Sequence, residues 1–174
     1  MSSSSASSTP RAPAGVATRP ISRADREPIR AILERTGVFT AEEIQVALSL
    51  VDESFARPDQ PDPYHFVVAE STDDRRVLGY VCFGTTPLTT GTYDLYWIAV
   101  DPTLHGGGIG TLLVDAVLAT MRADGGRLLL IETSSRADYA NTRAFYERAG
   151  LTIEARVRDF YSPGDDRLIY AKRL

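Results

Sequence analysis

The sequence predicts an α/β fold, with a mixed central sheet of six to seven strands flanked by about four helices. Three observations carry this. Apolar, β-branched and aromatic runs alternate with segments of helical period in the order β-α-α-β-β-β-α-β-α-β-β. Between Thr92 and Leu118 an apolar run, a glycine-rich turn and an amphipathic segment succeed one another, as in a crossover between parallel strands. The 174-residue length, with 43% hydrophobic and 24% charged residues, suits one globular domain.

Residues 1–15, rich in Ser, Ala and Pro, read as a disordered tail, and residues 16–174 as a single domain. "GVATRPIS" reads as a short edge strand, because Pro20 cannot donate to a ladder interior. "SRADREPIRAILERTG" reads as a helix capped by Ser22 or Asp25, striped by Ile29, Ile32 and Leu33, and stopped by Gly37. In "TAEEIQVALSLVDESF", Thr40 and Glu43 stand at capping-box spacing and Ile44, Ala47, Leu48 and Val51 form the buried face. A turn-rich loop from Arg57 leads to "YHFVVAE" and "RVLGYVCFGTTP", an antiparallel hairpin.

"TYDLYWIAV" reads as a strand with Asp94, Tyr96, Ile98 and Val100 on one face in strict alternation. After the glycines, Ile109, Leu112, Leu113, Ala116 and Val117 fall at helical spacing. "RLLLIETS" is near-continuously apolar, as expected of a central strand covered on both faces. "NTRAFYERAG" ends a helix with Gly150 placed for a left-handed C-cap, and "LTIEARVRDFY" and "DRLIYAKRL" are the last strands.

The net charge of -4 argues against bulk nucleic-acid binding, which needs a basic surface, and leaves room for a cationic substrate. The single cysteine, Cys82, excludes a disulfide framework and a cysteine-rich metal site; no metal is expected, and a reducing, cytoplasmic setting fits. No apolar run approaches the roughly 18–20 residues that span a bilayer, so no membrane association is expected.

"HGGGIG" (His105–Gly110) carries the chemistry. A phosphate loop of the NTPase type fails because no lysine follows Gly110, and a dinucleotide fingerprint fails because Thr111 stands where its third glycine belongs. What remains is a strand, a turn and a helix N-terminus, whose free N–H groups and dipole suit an anion; a plain tight turn stays open beside it.

"VDPTLHGGGIGTLLVDAVL" resembles the acetyl-CoA signature of the GNAT N-acetyltransferase superfamily, a strand ending in V-x-P, then [RQ]-x-x-G-x-[GA] and a helix. "ANTRAFYERAGL" is similar to that family's second motif, matched by Asn141, Ala144, Phe145, Tyr146 and Gly150. The departure is His105, where Arg or Gln is usual. The resemblance covers about residues 16–174 and implies the GNAT fold, with acetyl-CoA as co-substrate. It further implies that the main-chain amides of His105, Gly106, Gly107, Gly108, Ile109, Gly110 and Thr111 cradle the pyrophosphate. The strand before the loop splays from its parallel neighbour in that family, so Ile98, Ala99 and Val100 would pair with the pantetheine arm and Asn141 would approach it from the other side.

By the same resemblance Tyr146 is the acid for the leaving thiolate: an ordinary phenol, of pKa about 10, stays protonated at neutral pH. Asp94 and Glu132 compete as the base for the incoming amine, with a water relay as the third option. The expected activity is direct transfer of an acetyl group from acetyl-CoA to a primary amine of an unidentified acceptor, a small molecule or a peptide. Alternatives are acetylation of a protein or peptide N-terminus or lysine, or a regulatory module that binds acyl-CoA without turnover. Tyr64, Tyr96, Trp97, Phe160 and Tyr161 are candidate aromatic walls, with Trp97 tending to the core. Asp159, Asp165, Asp166, Glu42 and Glu43 are acidic groups suited to a cationic amine. Exposed strands at the C-terminus allow a homodimer.

Overall fold

The computed structural model describes residues 13–56 and 63–174. Most of the tail predicted for residues 1–15 and most of the loop from Arg57 lie outside these described residues. The predicted element order holds: β1 (Val16–Pro20), α1 (Arg26–Thr36), α2 (Ala41–Ala56), β2 (Tyr64–Ser71), β3 (Val77–Thr85) and β4 (Thr92–Val100) come first. They are followed by α3 (Ile109–Ala123), β5 (Leu128–Ser134), α4 (Ala140–Arg148), β6 (Thr152–Ser162) and β7 (Asp165–Arg173). The strands form one seven-stranded sheet in the order β1-β2-β3-β4-β5-β7-β6.

Local chemistry explains the boundaries. Glu43 accepts from the Thr40 N–H at 2.7 Å while its own N–H donates to Thr40 Oγ1 at 3.2 Å, so the capping box of α2 forms as its spacing predicts. Gly37 ends α1 at φ 68°, and Gly150 follows α4 at φ 79°; both turns need the left-handed region that only glycine enters without strain. β1 is an edge strand, consistent with Pro20. Arg19 on β1 ties the edge to α1: its guanidinium grips buried Asp25 through two hydrogen bonds of 2.7 and 2.8 Å and buried Glu70 through one of 2.6 Å.

The sheet separates two apolar cores. On one face, α3 (Leu113, Val114, Val117, Leu118, Met121) and α4 (Tyr146) pack on Val81, Phe83, Leu95, Leu129 and Ile131. On the other, α1 and α2 (Ile29, Ile32, Leu33, Ala47, Leu48, Val51) pack on Phe66, Val68, Tyr80, Cys82 and Ala99. Cys82 is fully buried there, as a small apolar residue is expected to be.

Two strand expectations are corrected. In β4, Trp97 pairs with Cys82 and Leu95 with Phe83, which leaves Tyr96 without an opposite residue. This bulge resets the alternation: Ile98 and Val100 join the α3 core, while Trp97 and Ala99 pack on the α1–α2 side, to which Asp94 also turns. Asp94 and Ile98 therefore do not share a face. β5 is not covered on both faces either. Leu129, Ile131 and Thr133 are buried, but Glu132 is exposed, because no β5 residue belongs to the α1–α2 core.

Candidate active site

β4 and β5 run parallel, and their pairing stops after four matched positions, from Thr92↔Leu128 to Leu95↔Ile131. Beyond them Tyr96–Val100 and Glu132–Ser134 diverge, and a wedge opens between the strands. Cavities enter it from both sides.

The first cavity, of about 420 Å³, is lined by Ile98, Ala99, Val100, Leu104, the glycine turn, the start of α3, and Asn141, Thr142, Phe145 and Arg148 of α4. Asp101 stiffens the approach: it accepts from the Thr103 N–H and hydroxyl, and its other oxygen takes Arg35 at 2.9 Å. Within the turn, the N–H of His105 donates to the Pro102 carbonyl and that of Gly107 to the Leu104 carbonyl. The N–H groups of Gly106, Gly108, Ile109, Gly110 and Thr111 donate to no acceptor among the described residues. Gly106 and Gly108, both at φ 82°, turn those donors toward the cavity. Gly110 is required for close packing, since a Cβ there would stand 3.1 Å from the Phe145 ring. Five free donors at a helix N-terminus, on a cavity wall, fit a pyrophosphate.

His105, the residue that departs from the family signature, has a specific place. Its Nε2 lies 3.1 Å from the Val100 carbonyl, so with the proton on that nitrogen the ring ties the turn to the splayed strand.

The second cavity, of about 590 Å³, spans the wedge, the α1–α2 loop and the start of β7; it shares Ile98, Ala99, Val100, His105, Asn141 and Thr142 with the first. Tyr146 lines it and is 5% exposed. Burial pushes the Tyr146 phenol well up, so it holds its proton across the ordinary pH range. The Tyr146 hydroxyl makes no hydrogen bond to a described residue, which leaves it free for a ligand. Tyr139, likewise on the cavity wall, is pushed up to about 12 by burial and then by Glu43. Arg143 anchors the β5–α4 connection through the carbonyls of Ser134 and Arg136 at 2.9 and 2.7 Å.

Of the residues singled out from sequence, Ile98, Ala99, Val100, His105, Gly106, Gly108, Ile109, Gly110, Thr111 and Asn141 all line the first cavity. Gly107 does not, and its N–H is spent inside the turn. Tyr146 and Glu132 line the second cavity, where Glu132 accepts from Arg167 at 3.2 Å. Asp94 lines neither; it accepts from the Thr86 hydroxyl at 2.6 Å. Of the aromatic candidates, Tyr96, Trp97 and Tyr161 reach the second cavity. Tyr64 stands edge-on to Tyr96 and Phe160 edge-on to Tyr161 behind them, and Trp97 is only half-buried, against Phe39. Of the acidic candidates, Glu43 and Asp165 line it. Sequence reasoning missed Leu104, Thr142 and Arg148. The signal for the α4 pair was present: Asn141, Phe145 and Arg148 recur at i, i+4 and i+7, while Thr142 and Tyr146 are the neighbouring i, i+4 pair.

A bulged, splayed strand feeds a turn of free amides, and a second cavity meets the first at the wedge. The sequence profile of the Acetyltransferase (GNAT) family matches residues 29–151. The chain is 46% identical to a GNAT-family protein from Desulfovibrio desulfuricans, over 91% of this chain and 98% of that one, with a TM-score of 0.83. It shares its fold with the ribosomal-protein-S18-alanine N-acetyltransferase from Escherichia coli (20% identity, 91% and 93% coverage, TM-score 0.68). A Salmonella typhimurium protein solved with its cofactor acetyl-CoA has the fold as well (18% identity, 92% and 94% coverage, TM-score 0.68). No curated protein matches the chain. The chain belongs to the acetyltransferase (GNAT) family of enzymes.

Proposed function

We propose that the protein is an N-acetyltransferase that moves the acetyl group of acetyl-CoA directly to a primary amine. The observation that carries this reading is the junction of the two cavities at Ile98–Val100, with Tyr146 beside it. Acetyl-CoA supplies the activated acyl group, and the bound acetyl-CoA of the Salmonella protein on the same fold supports that assignment.

The N–H groups of Gly106, Gly108, Ile109, Gly110 and Thr111 hold the pyrophosphate, and Arg148, at the same cavity, faces the remaining phosphate charge. The splayed edge of β4 receives the pantetheine amides as a further strand. A main-chain N–H of Ile98–Val100 polarises the thioester carbonyl. The ammonium enters from the second cavity, gives one proton to water or to Glu132 and attacks the thioester carbonyl; the adduct nitrogen gives its second proton to water as the C–S bond breaks, leaving the amide and the CoA thiolate. Glu132 is the carboxylate candidate that this cavity exposes, whereas Asp94 is turned to Thr86. Tyr146 donates a hydrogen bond to the departing sulfur. An ordinary phenol (pKa about 10) is a weaker acid than an ordinary thiol (about 8.5), and burial weakens it further. Its role is therefore to stabilise thiolate charge with a held proton, rather than to complete the transfer before the bond breaks.

Incubation with acetyl-CoA and a panel of primary amines, followed by free-thiol release and product mass, tests the reading. Amine-dependent thiol release with an acetylated product is expected. Thiol release that no amine accelerates overturns it.

A further inference from the structure

The second cavity carries a charge imbalance that identifies its occupant. Among the described residues four carboxylates line it, from Glu43, Glu132, Asp138 and Asp165, against one guanidinium, from Arg136. Two of the four are neutralised locally: Asp138 holds Arg136 at 2.5 Å, and Glu132 holds Arg167 at 3.2 Å. Among the described residues Glu43 and Asp165 form no ion pair, although the Arg136 guanidinium lies within electrostatic reach of Asp165. Glu43 Oε2 is engaged only by the Thr40 N–H at 2.7 Å. Asp165 is 5% exposed, its Oδ1 accepts from the Ser134 hydroxyl at 2.5 Å, and its Oδ2 accepts from no described residue.

A carboxylate so withdrawn from water is costly unless a cation meets it. The two carboxylates approach from different walls, Glu43 from the first turn of α2 and Asp165 from the first residue of β7. Tyr161, on the same cavity wall, lies within the electrostatic reach of both. Tyr139 lines the cavity close to Glu43 but already carries the Arg136 guanidinium 5.5 Å from its ring centroid, so Tyr161 is the aromatic wall left for an ammonium group beside the carboxylates. The size, about 590 Å³, is that of a small-molecule site.

We propose that the acceptor is a small aliphatic amine with a second positive charge, a diamine or polyamine. One nitrogen reaches the wedge beside Tyr146 while the other is held between Asp165 and Glu43. This rests on the acetyltransferase reading above and names the acceptor class of that site.

The test compares 1,5-diaminopentane, spermidine, n-pentylamine and a lysine-rich peptide in the thiol-release assay, with the full chain and with Asp165→Asn and Glu43→Gln. Both substitutions keep shape and hydrogen bonding while removing charge. The native protein is expected to favour the diamine over n-pentylamine by roughly tenfold or more in kcat/KM, and each variant to lower that ratio several-fold. The acetyl-CoA-induced rise in melting temperature should persist in both variants, which separates loss of recognition from loss of fold. Equal use of n-pentylamine and the diamine, a ratio unchanged in both variants, or acetylation of the peptide alone overturns the diamine assignment while leaving acetyl transfer standing. Absence of thiol release with every amine overturns the underlying reading instead.

Discussion

Replacing Tyr146 by Phe separates chemistry from architecture. The side chain is 5% exposed and its hydroxyl makes no hydrogen bond to a described residue, so Tyr146→Phe removes one oxygen without leaving a partner orphaned. The change in stability should stay within about 1 kcal/mol. The donor cavity is walled by other α4 residues, Asn141, Phe145 and Arg148, so acetyl-CoA binding should persist. Catalysis should not. A preorganised hydrogen-bond donor aimed at charge that develops in the transition state contributes about 10²–10³ in rate, and a single held phenol proton belongs at the lower end, about 100-fold or 2.7 kcal/mol in ΔG‡. Burial raises the Tyr146 phenol, so the proton-bearing form predominates below its folded value; no falling limb of kcat below about pH 10 should originate from it. Steady-state thiol release against amine concentration gives kcat, and melting with and without acetyl-CoA gives fold and binding. A Phe variant within about threefold of the native kcat would refute the assignment, as would a kcat loss explained by lost acetyl-CoA binding.

Three further outcomes follow from the geometry. Gly108→Ala places a side chain at φ 82° with its Cβ 3.3 Å from the Pro13 ring; the strain, about 1–2 kcal/mol, should lower the melting temperature by a few degrees and weaken acetyl-CoA in a calorimetric titration. Arg148→Ala removes a guanidinium from the donor cavity and should weaken acetyl-CoA about tenfold, with a shallower salt dependence of Kd. Arg19→Ala strips the cation from buried Asp25 and leaves buried Glu70 with Arg75 alone, at 2.9 Å; it should cost about 2 kcal/mol at pH 7 by denaturant unfolding, less than for a fully buried pair because Arg19 is a quarter exposed. The pH dependence has a definite sign. Burial alone would raise the Asp25 carboxyl, but Arg19 and the Ser22 N–H and hydroxyl outweigh it and hold the carboxyl below its ordinary value. That stabilisation is full above the ordinary value of about 3.9 and disappears as pH falls through the depressed folded value, so the native–variant difference should shrink in acid.

Legibility tracked the range of the interactions involved. The capping box at Thr40–Glu43, the stripes of α1 and α2, and the stops at Gly37 and Gly150 are set within a few residues, and the sequence displays them directly. The walls of the first cavity were legible for the same reason, because a strand, a turn and a helix N-terminus are contiguous. Two features depended on partners distant in sequence. The Tyr96 bulge arises from how β4 meets β3, and it moved Asp94 to the opposite face from Ile98. The open face of β5 arises because α1 and α2 cover β2–β4 and stop short. That gap is the second cavity, so an apolar run read as fully covered is instead one wall of the candidate site.

The structure of the protein with acetyl-CoA bound tests the central claim most directly. The pyrophosphate should lie within hydrogen-bond reach of the N–H groups of Gly106, Gly108, Ile109, Gly110 and Thr111, the pantetheine arm along Ile98–Val100, and the thioester sulfur beside the Tyr146 hydroxyl. A pyrophosphate bound away from the glycine turn, or a thioester remote from Tyr146, would contradict it.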